Sequence, residues 1–203
     1  MQDQQPISNS IAFFDFDGTI TDRDIFFDFI FYRLRKGLPI WKMIQALPVL
    51  AAYLLRMLDN ETAKEKIFGS LFRGEQLAVF QNMVQDYYQT VFTNRIRPAA
   101  LQKIQWHQSA AHRVVIVSAN FSWLIQPFAA THQLDLIATE AAIDQQIITG
   151  KFATPNCYGE EKVRRIRATI HQLNDYQEVY AYGDSKGDHA LLQMATKPFY
   201  KVF

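Results

Sequence analysis

The sequence has one cysteine, Cys157, in 203 residues. A lone thiol excludes an intrachain disulfide and cannot build a thiolate metal site by itself, which suits a reducing, cytoplasmic setting. An excess of charge of either sign is also missing: 21 Lys and Arg face 20 Asp and Glu, for a net charge of +1. A nucleic-acid binder normally carries a basic excess or stripe, so no nucleic-acid partner is expected. Long hydrophobic runs are absent too. The greasiest stretch, residues 38–58, is interrupted by Lys42, Pro48 and Arg56. Between Lys42 and Arg56 it is free of charge only over 43–55, short of the roughly 20 residues a helix needs to cross a bilayer. The opening MQDQQPISNS has neither a basic nor an apolar leader segment and is expected to be a short polar tail rather than a secretory signal. The histidines at 107, 112, 132, 171 and 189 show no ligand spacing and are expected to be surface or packing residues. No repeat, no low-complexity tract and no sign of an obligate protein partner is found.

What is present is a chain with 49% hydrophobic residues, enough to bury a sizeable core. Ile11–Phe14, Val114–Val117 and Val179–Tyr182 are short apolar runs that each stop at small or acidic polar residues, as buried parallel strands do at a loop. Val163, Ile166, Ile170 and Leu173 repeat at steps of three, four and three, which predicts a helix with one apolar face. Strands alternating with helices predict an α/β fold around a parallel sheet. From about residue 23 to 95 the alternation stops, and apolar positions such as Phe26, Phe29 and Ile30 recur at helical spacing. This stretch is expected to be a helical cap inserted after the first strand, leaving 1–22 and 96–203 as the core. A small hairpin is expected over 143–152, and a last strand over 199–202.

Asp15-Phe16-Asp17-Gly18-Thr19 places two carboxylates at a strand end, where open α/β sheets bind ligands. One carboxylate can attack phosphorus to form an aspartyl-phosphate, and its neighbour can protonate the leaving oxygen and then activate water. Gly18 lets the backbone approach a ligand, and Thr19 offers a hydroxyl and an amide to phosphate oxygens. The same pentad also suits an ordinary Asp-Gly turn. Residues 182–188, YGDSKGD, add Asp184 and Asp188 at another strand end. Four acids in one crevice need a compensating cation, and magnesium, a hard oxygen-seeking ion, fits. Asp15 and Asp184 are the expected direct ligands, with the Asp17 carbonyl and Asp188 in support. Asp188 can equally cap a helix. Ser118, with Ala119 after it, can hold a phosphate oxygen, or the serine can cap the helix containing Trp123 and Phe128. Lys162 stands near the start of a helix, where the dipole disfavours a cation, so an anion to neutralise explains it better than the alternative, a surface role beside Glu160 and Glu161.

Together, DFDGT, a strand followed by Ser118, then Lys162, then GDSKGD resemble the haloacid dehalogenase-like superfamily, in particular its phosphoserine-phosphatase-like branch. The likeness runs along nearly the whole chain, through RPAALQKIQWHQ, HRVVIVSAN, ITGKF and CYGEEKV. It implies a Rossmann-like core with a helical cap, Asp15 as nucleophile, Asp17 as acid and base, Ser118 and Lys162 on the phosphate, and Asp184 and Asp188 at magnesium. The dehalogenase members resemble this pattern but lack the second aspartate of the first motif and need no metal, which favours phosphate-ester hydrolysis. Ser185 and Gly187 depart from the Gly-Asp-Gly-x-Asn-Asp of phosphoserine phosphatases, which counts against serine phosphate as substrate.

Asp24 matches a position where phosphoserine phosphatase has an acidic substrate-binding residue, and it can also cap the helix starting at Ile25. A lid over a phosphate site should set specificity, and a small phosphorylated metabolite is the expected substrate. The placement of the greasy 38–58 segment is similar to that in bacterial phosphatidylglycerophosphatase C, which makes a lipid phosphate the alternative. That segment is expected either to be a buried cap helix or to lie on a membrane surface, with Trp41 and Tyr53 at the headgroups. A non-catalytic binding protein on the same fold is the third reading, and the presence of every group the chemistry needs speaks against it.

Overall fold

A computed structural model of the chain describes residues 9–203, so the polar segment at 1–8 lies outside the described residues. The first strand, β1 (Ser10–Phe14), is buried at every position, as expected of a strand covered on both faces. Its side chains still alternate. Ala12 and Phe14 enter one core with Val114, Ile116 and Tyr182, whereas Ile11 and Phe13 enter another with Val115, Val117, Val179 and Ala181. After β1 come the helices α1 (Ile25–Arg35), α2 (Ile40–Leu54), α3 (Asn60–Phe72) and α4 (Leu77–Thr90), which form the cap. Then α5 (Pro98–Ser109), β2 (Arg113–Phe121), α6 (Ser122–Thr131) and β3 (Asp135–Thr139) return the chain to the sheet. The hairpin β4 (Ala141–Asp144) and β5 (Ile147–Phe152) precedes α7 (Glu160–Thr169), β6 (Glu178–Gly183), α8 (His189–Met194) and β7 (Lys197–Tyr200).

The described residues form a five-stranded sheet in the order β3-β2-β1-β6-β7, every neighbouring pair parallel. Phe14 stands level with Ile116 on one side and Tyr182 on the other. The chain winds outward from β1 through β2 to β3 and then restarts on the opposite side with β6. A crevice therefore opens at the carboxyl ends of β1, β2 and β6, the place where such sheets take ligands. This is the α/β, Rossmann-like core with a helical cap that the sequence predicts.

Several boundaries differ. The strand expected over 114–117 runs to Phe121, because the Ser118 hydroxyl accepts from the Asn120 amide and the Asn120 side chain accepts from the Phe121 amide, which carries the chain through a register shift. The helix expected to reach Leu173 ends at Thr169, and Leu173 opens a separate 3-10 turn. The last strand begins at Lys197 rather than Phe199, since Pro198 is tolerated on an edge strand. The hairpin starts two residues early and docks on the cap: Gly74 donates to the Ile148 carbonyl at 2.9 Å and Leu77 to that of Gln146 at 2.8 Å.

One aromatic cluster joins cap to core, with Phe26 packed on Phe68 and Phe121, and Phe16 stacked on Phe92. Helix α2 is the exception to this burial. Among its described residues only Ala46 is buried, which sets aside the buried-cap-helix reading of 38–58. No helix among the described residues is long and apolar enough to cross a membrane.

Candidate active site

The first motif follows β1 directly, so the end of the strand delivers Asp15 into the crevice, 7% exposed. Lys162, from the first turn of α7, reaches the same point and is 1% exposed. Its Nζ lies 2.5 Å from Asp15 Oδ1 and 2.6 Å from Asp188 Oδ1. The other oxygen of Asp188 accepts from the Ser185 amide at 2.9 Å and the Ser185 hydroxyl at 2.8 Å, closing a capping box on the 3-10 turn before α8. Asp188 thus caps backward and aims Lys162, and it makes no side-chain cap on α8. Asp184, at the end of β6, receives the Thr19 hydroxyl at 3.5 Å. Gly18 has φ +83°, and a Cβ there would lie 2.3 Å from Asp184 Oδ2.

Asp17 points elsewhere. Its Oδ1 accepts from the Ile25 amide at 2.8 Å, and Asn120 Nδ2 reaches its Oδ2 at 2.9 Å. Asp24 accepts from the Phe27 amide at 3.2 Å and so caps α1, while also lining the crevice. The crevice is a cavity of about 520 Å³ with Asp15, Asp17, Ser118, Lys162, Asp184 and Asp188 at its core end. Ala119 and Asp24 also line it, whereas Thr19 stands behind Asp184 in a separate small recess. Ser118 is buried within β2 and does not cap α6, which starts after Phe121 with no side-chain cap.

Two further residues, Asn120 and Lys64, belong to the site without a motif to mark them. Asn120 holds Asp17, and a polar residue at a strand end was its only signal. Lys64, on α3, crosses from the cap to donate to the Ala119 carbonyl at 2.6 Å and lines the cavity. Nothing local in the sequence separates it from Lys66 on the same helix.

Comparison with known proteins places the chain in a family. The family model described as "haloacid dehalogenase-like hydrolase" matches residues 12–193. The chain belongs to that family. The hydrolase is 30% identical over 196 residues to Protein CicA of Caulobacter vibrioides, covering 94% of this chain and 85% of the relative. A protein of unknown function from Bordetella pertussis Tohama I superposes with a TM-score of 0.80 at 26% identity, over 93% of this chain and 88% of the other. A phosphoserine phosphatase solved as a phospho-aspartyl intermediate analogue shares the fold, with a TM-score of 0.58 at 16% identity over 91% and 82% of the two chains.

The electrostatics of the hydrolase site follow from its burial. Removal from water pushes the Asp15 carboxyl up to about 6 even though Lys162 opposes the shift, so its ionised form still dominates at neutral pH. Burial and the charge of Asp24 push Asp17 well above the usual carboxylate range, against the pull of the Ile25 amide. Lys162 is driven toward neutrality by burial, but Asp15 and Asp188 outweigh this and keep it charged. Asp188 is likewise opposed by burial and held low by Lys162 and Ser185. Asp184 is raised by burial and by the charge of Asp188.

The residues fit a divalent cation. One carboxylate oxygen each from Asp15, Asp184 and Asp188 lies within 4.8 Å of the others. The donors are all oxygen, as a hard cation requires, and the missing Cβ of Gly18 leaves Asp184 room to face Asp15. The Asp17 carboxylate is not part of this group.

Proposed function

We propose that this hydrolase cleaves phosphate monoesters through a covalent phosphate on Asp15, with magnesium held by Asp15 and Asp184, the Asp17 carbonyl and Asp188 in support. The observation that carries the reading is the division of labour between two carboxyls two residues apart. Asp15 contacts Lys162, whereas Asp17 is turned away from that lysine, aimed by Ile25 and Asn120, and its carboxyl is pushed well above the usual range by burial and by the charge of Asp24. Such a split separates a nucleophile from a general acid.

In the first step Asp15 Oδ forms a bond to phosphorus as the bond to the leaving oxygen breaks, and the Asp17 proton goes to that oxygen. In the second, the now ionised Asp17 takes a proton from water, whose oxygen bonds to phosphorus as the Asp15–phosphorus bond breaks. Phosphate leaves, and both carboxyls return to their starting states. Lys162 balances the charge on Asp15 and on the phosphoryl oxygens throughout, while Ser118 and Ala119 offer contacts at the strand end. Bound magnesium supplies polarisation of the phosphoryl oxygens and screening between the acids. Thr19 serves here by steadying Asp184. The lone buried Cys157 suits a cytoplasmic setting.

Phosphate release from a panel of monoesters, with and without magnesium, tests the reaction. Asp15→Asn is expected to lower turnover by roughly three orders of magnitude while the fold persists. Magnesium at tenfold its Kd is expected to raise the unfolding free energy by about 1.4 kcal/mol. Full activity in Asp15→Asn would refute the covalent route, and metal-independent turnover would refute the role of magnesium.

A further inference from the structure

Helix α2 turns an apolar stripe toward solvent. Ile40, Ile44, Leu47, Ala51 and Leu54 succeed one another at steps of four, three, four and three, which puts them on one side of the helix. A stripe of this kind ordinarily faces a core, yet all five are exposed, Ile40 by 67% and Leu54 by 71%. Trp41 and Tyr53 flank it, and Phe31, Leu55 and Met57 extend it at both ends, all exposed. Contiguous apolar surface on this scale marks an interaction site.

Charge selects the partner. Residues 29–58 contain Arg33, Arg35, Lys36, Lys42 and Arg56 and no Asp or Glu, in a chain whose net charge is only +1. Arg33 is buried against Glu75 and Lys36 pairs with Asp86, while Arg35 and Arg56 are exposed beyond the two ends of α2. A second copy docked through this side would bring the same cations together, because a two-fold contact pairs a patch with itself. Anionic headgroups would instead receive the cations while the stripe enters the acyl boundary, with Trp41 and Tyr53 at the interface. At about 22 Å, α2 is too short to cross the hydrocarbon layer and long enough to lie in its surface.

The apolar surface is also continuous with the catalytic cavity. Opposite the acids, that cavity is lined by Phe26, Phe27, Leu50, Tyr53, Ala63 and Ile67. Phe27, Leu50 and Ile67 also line a pocket of about 50 Å³ between α1 and α2, together with the half-buried Met43 and with Phe31 and Leu47 of the outer surface. Phe27, Leu50 and Tyr53 line the catalytic cavity and are themselves exposed, so its apolar wall borders the outer surface that carries the stripe. We propose that the α1–α2 surface docks on an anionic bilayer and that the ester is amphiphilic, its tail leaving the cavity past Phe27, Leu50 and Ile67. The substrate half of this inference rests on the phosphatase reading; the docking half does not.

The test uses the full chain with vesicles of phosphatidylcholine alone or mixed with phosphatidylglycerol, read by co-sedimentation. Turnover is measured in parallel on a soluble aryl phosphate, on glycerol phosphate and on a long-chain phosphatidic acid in the mixed vesicles. Wild type is expected to partition onto the anionic vesicles about tenfold better than onto the neutral ones. Ile44→Glu/Leu54→Glu, which alters two exposed positions outside both pockets, is expected to lose about tenfold in partitioning and in phosphatidic acid turnover. Its aryl phosphate turnover should stay within about twofold. Aryl phosphate turnover without vesicle binding, or a stable dimer broken by the double substitution, would overturn the docking. Vesicle binding with equal use of phosphatidic acid and glycerol phosphate would overturn the amphiphilic substrate. Vesicle binding with no turnover of any ester would sustain the docking and overturn the phosphatase reading.

Discussion

Gly18 shows how little room the site allows a single atom. Its φ of +83° is a conformation L side chains avoid at a cost of about 1 kcal/mol, and the Cβ it lacks would meet Asp184 Oδ2 at 2.3 Å. Carbon does not approach oxygen that closely, so Asp184 would have to swing away from Asp15. Gly18→Ala is therefore expected to cost roughly 1–3 kcal/mol of stability and to lower turnover by roughly 10²-fold, because the displaced carboxylate no longer meets its partners. Urea unfolding and a magnesium thermal-shift titration would check it, and an unchanged metal response would show that Asp184 had not moved. The other glycines of the motifs act through the same crowding. A Cβ on Gly183 would sit 2.5 Å from Asp188 Cβ, and one on Gly187 would enter the ring of Tyr158 at 2.3 Å.

The β4–β5 hairpin carries a local conflict that can be relieved. Its two-residue loop, Gln145-Gln146, holds both residues at positive φ, 45° and 66°, where hairpin loops favour Asn-Gly. Gln146→Gly is expected to stabilise the protein by about 0.5 kcal/mol, the relief of left-handed strain less the added freedom of the unfolded chain. Chemical denaturation would measure it, and destabilisation would mean that the Gln146 side chain matters more than its backbone. This hairpin also marks what could be read without coordinates. Strands β1, β2 and β6 were legible because apolar runs ended at charged or small residues, and the same rule placed Asp15, Asp17 and Asp184 beyond strand ends, whereas Ser118 lies inside β2, which runs on to Phe121. Where elements stop was less legible, since Thr169 ends a helix whose apolar period continues to Leu173. Asn120 and Lys64 stayed hidden because their roles depend on contacts across 103 and 55 residues of chain, with Asp17 and Ala119. The outward stripe of α2 was unreadable for a related reason, because helical spacing reveals a stripe but not the direction it faces.

At the scale of the whole molecule, the sheet face opposite the Cys157 cluster buries a titratable group that the chemistry does not use. His107 is fully buried on α5, its Nε2 2.9 Å from the Tyr182 hydroxyl and its Nδ1 2.8 Å from Nδ1 of the half-exposed His112. Burial, with repulsion from His112 and Lys103, lowers its pKa from the usual 6.5 to about 3. Between those values the unfolded chain binds a proton that the folded chain refuses. Folding stability is therefore complete above about pH 6.5 and declines as pH falls, by on the order of 1 kcal/mol per unit from this group. Asp15, raised to about 6, has the opposite sign: above its unfolded value the folded chain holds the extra proton, so stability from this group falls as pH rises toward 6. Comparing wild type with His107→Gln at each pH cancels the Asp15 contribution, since the amide keeps a polar partner for Tyr182 without titrating. The variant is expected to be less stable at pH 7.5 by about 1–2 kcal/mol, from imperfect hydrogen bonding. That deficit should shrink steadily toward pH 5, where wild type has lost the stability that depends on a neutral His107. Guanidinium unfolding at half-unit pH steps would follow the gap. A deficit that stays constant from pH 7.5 to 5 would show that His107 takes up its proton equally in the folded and unfolded chain.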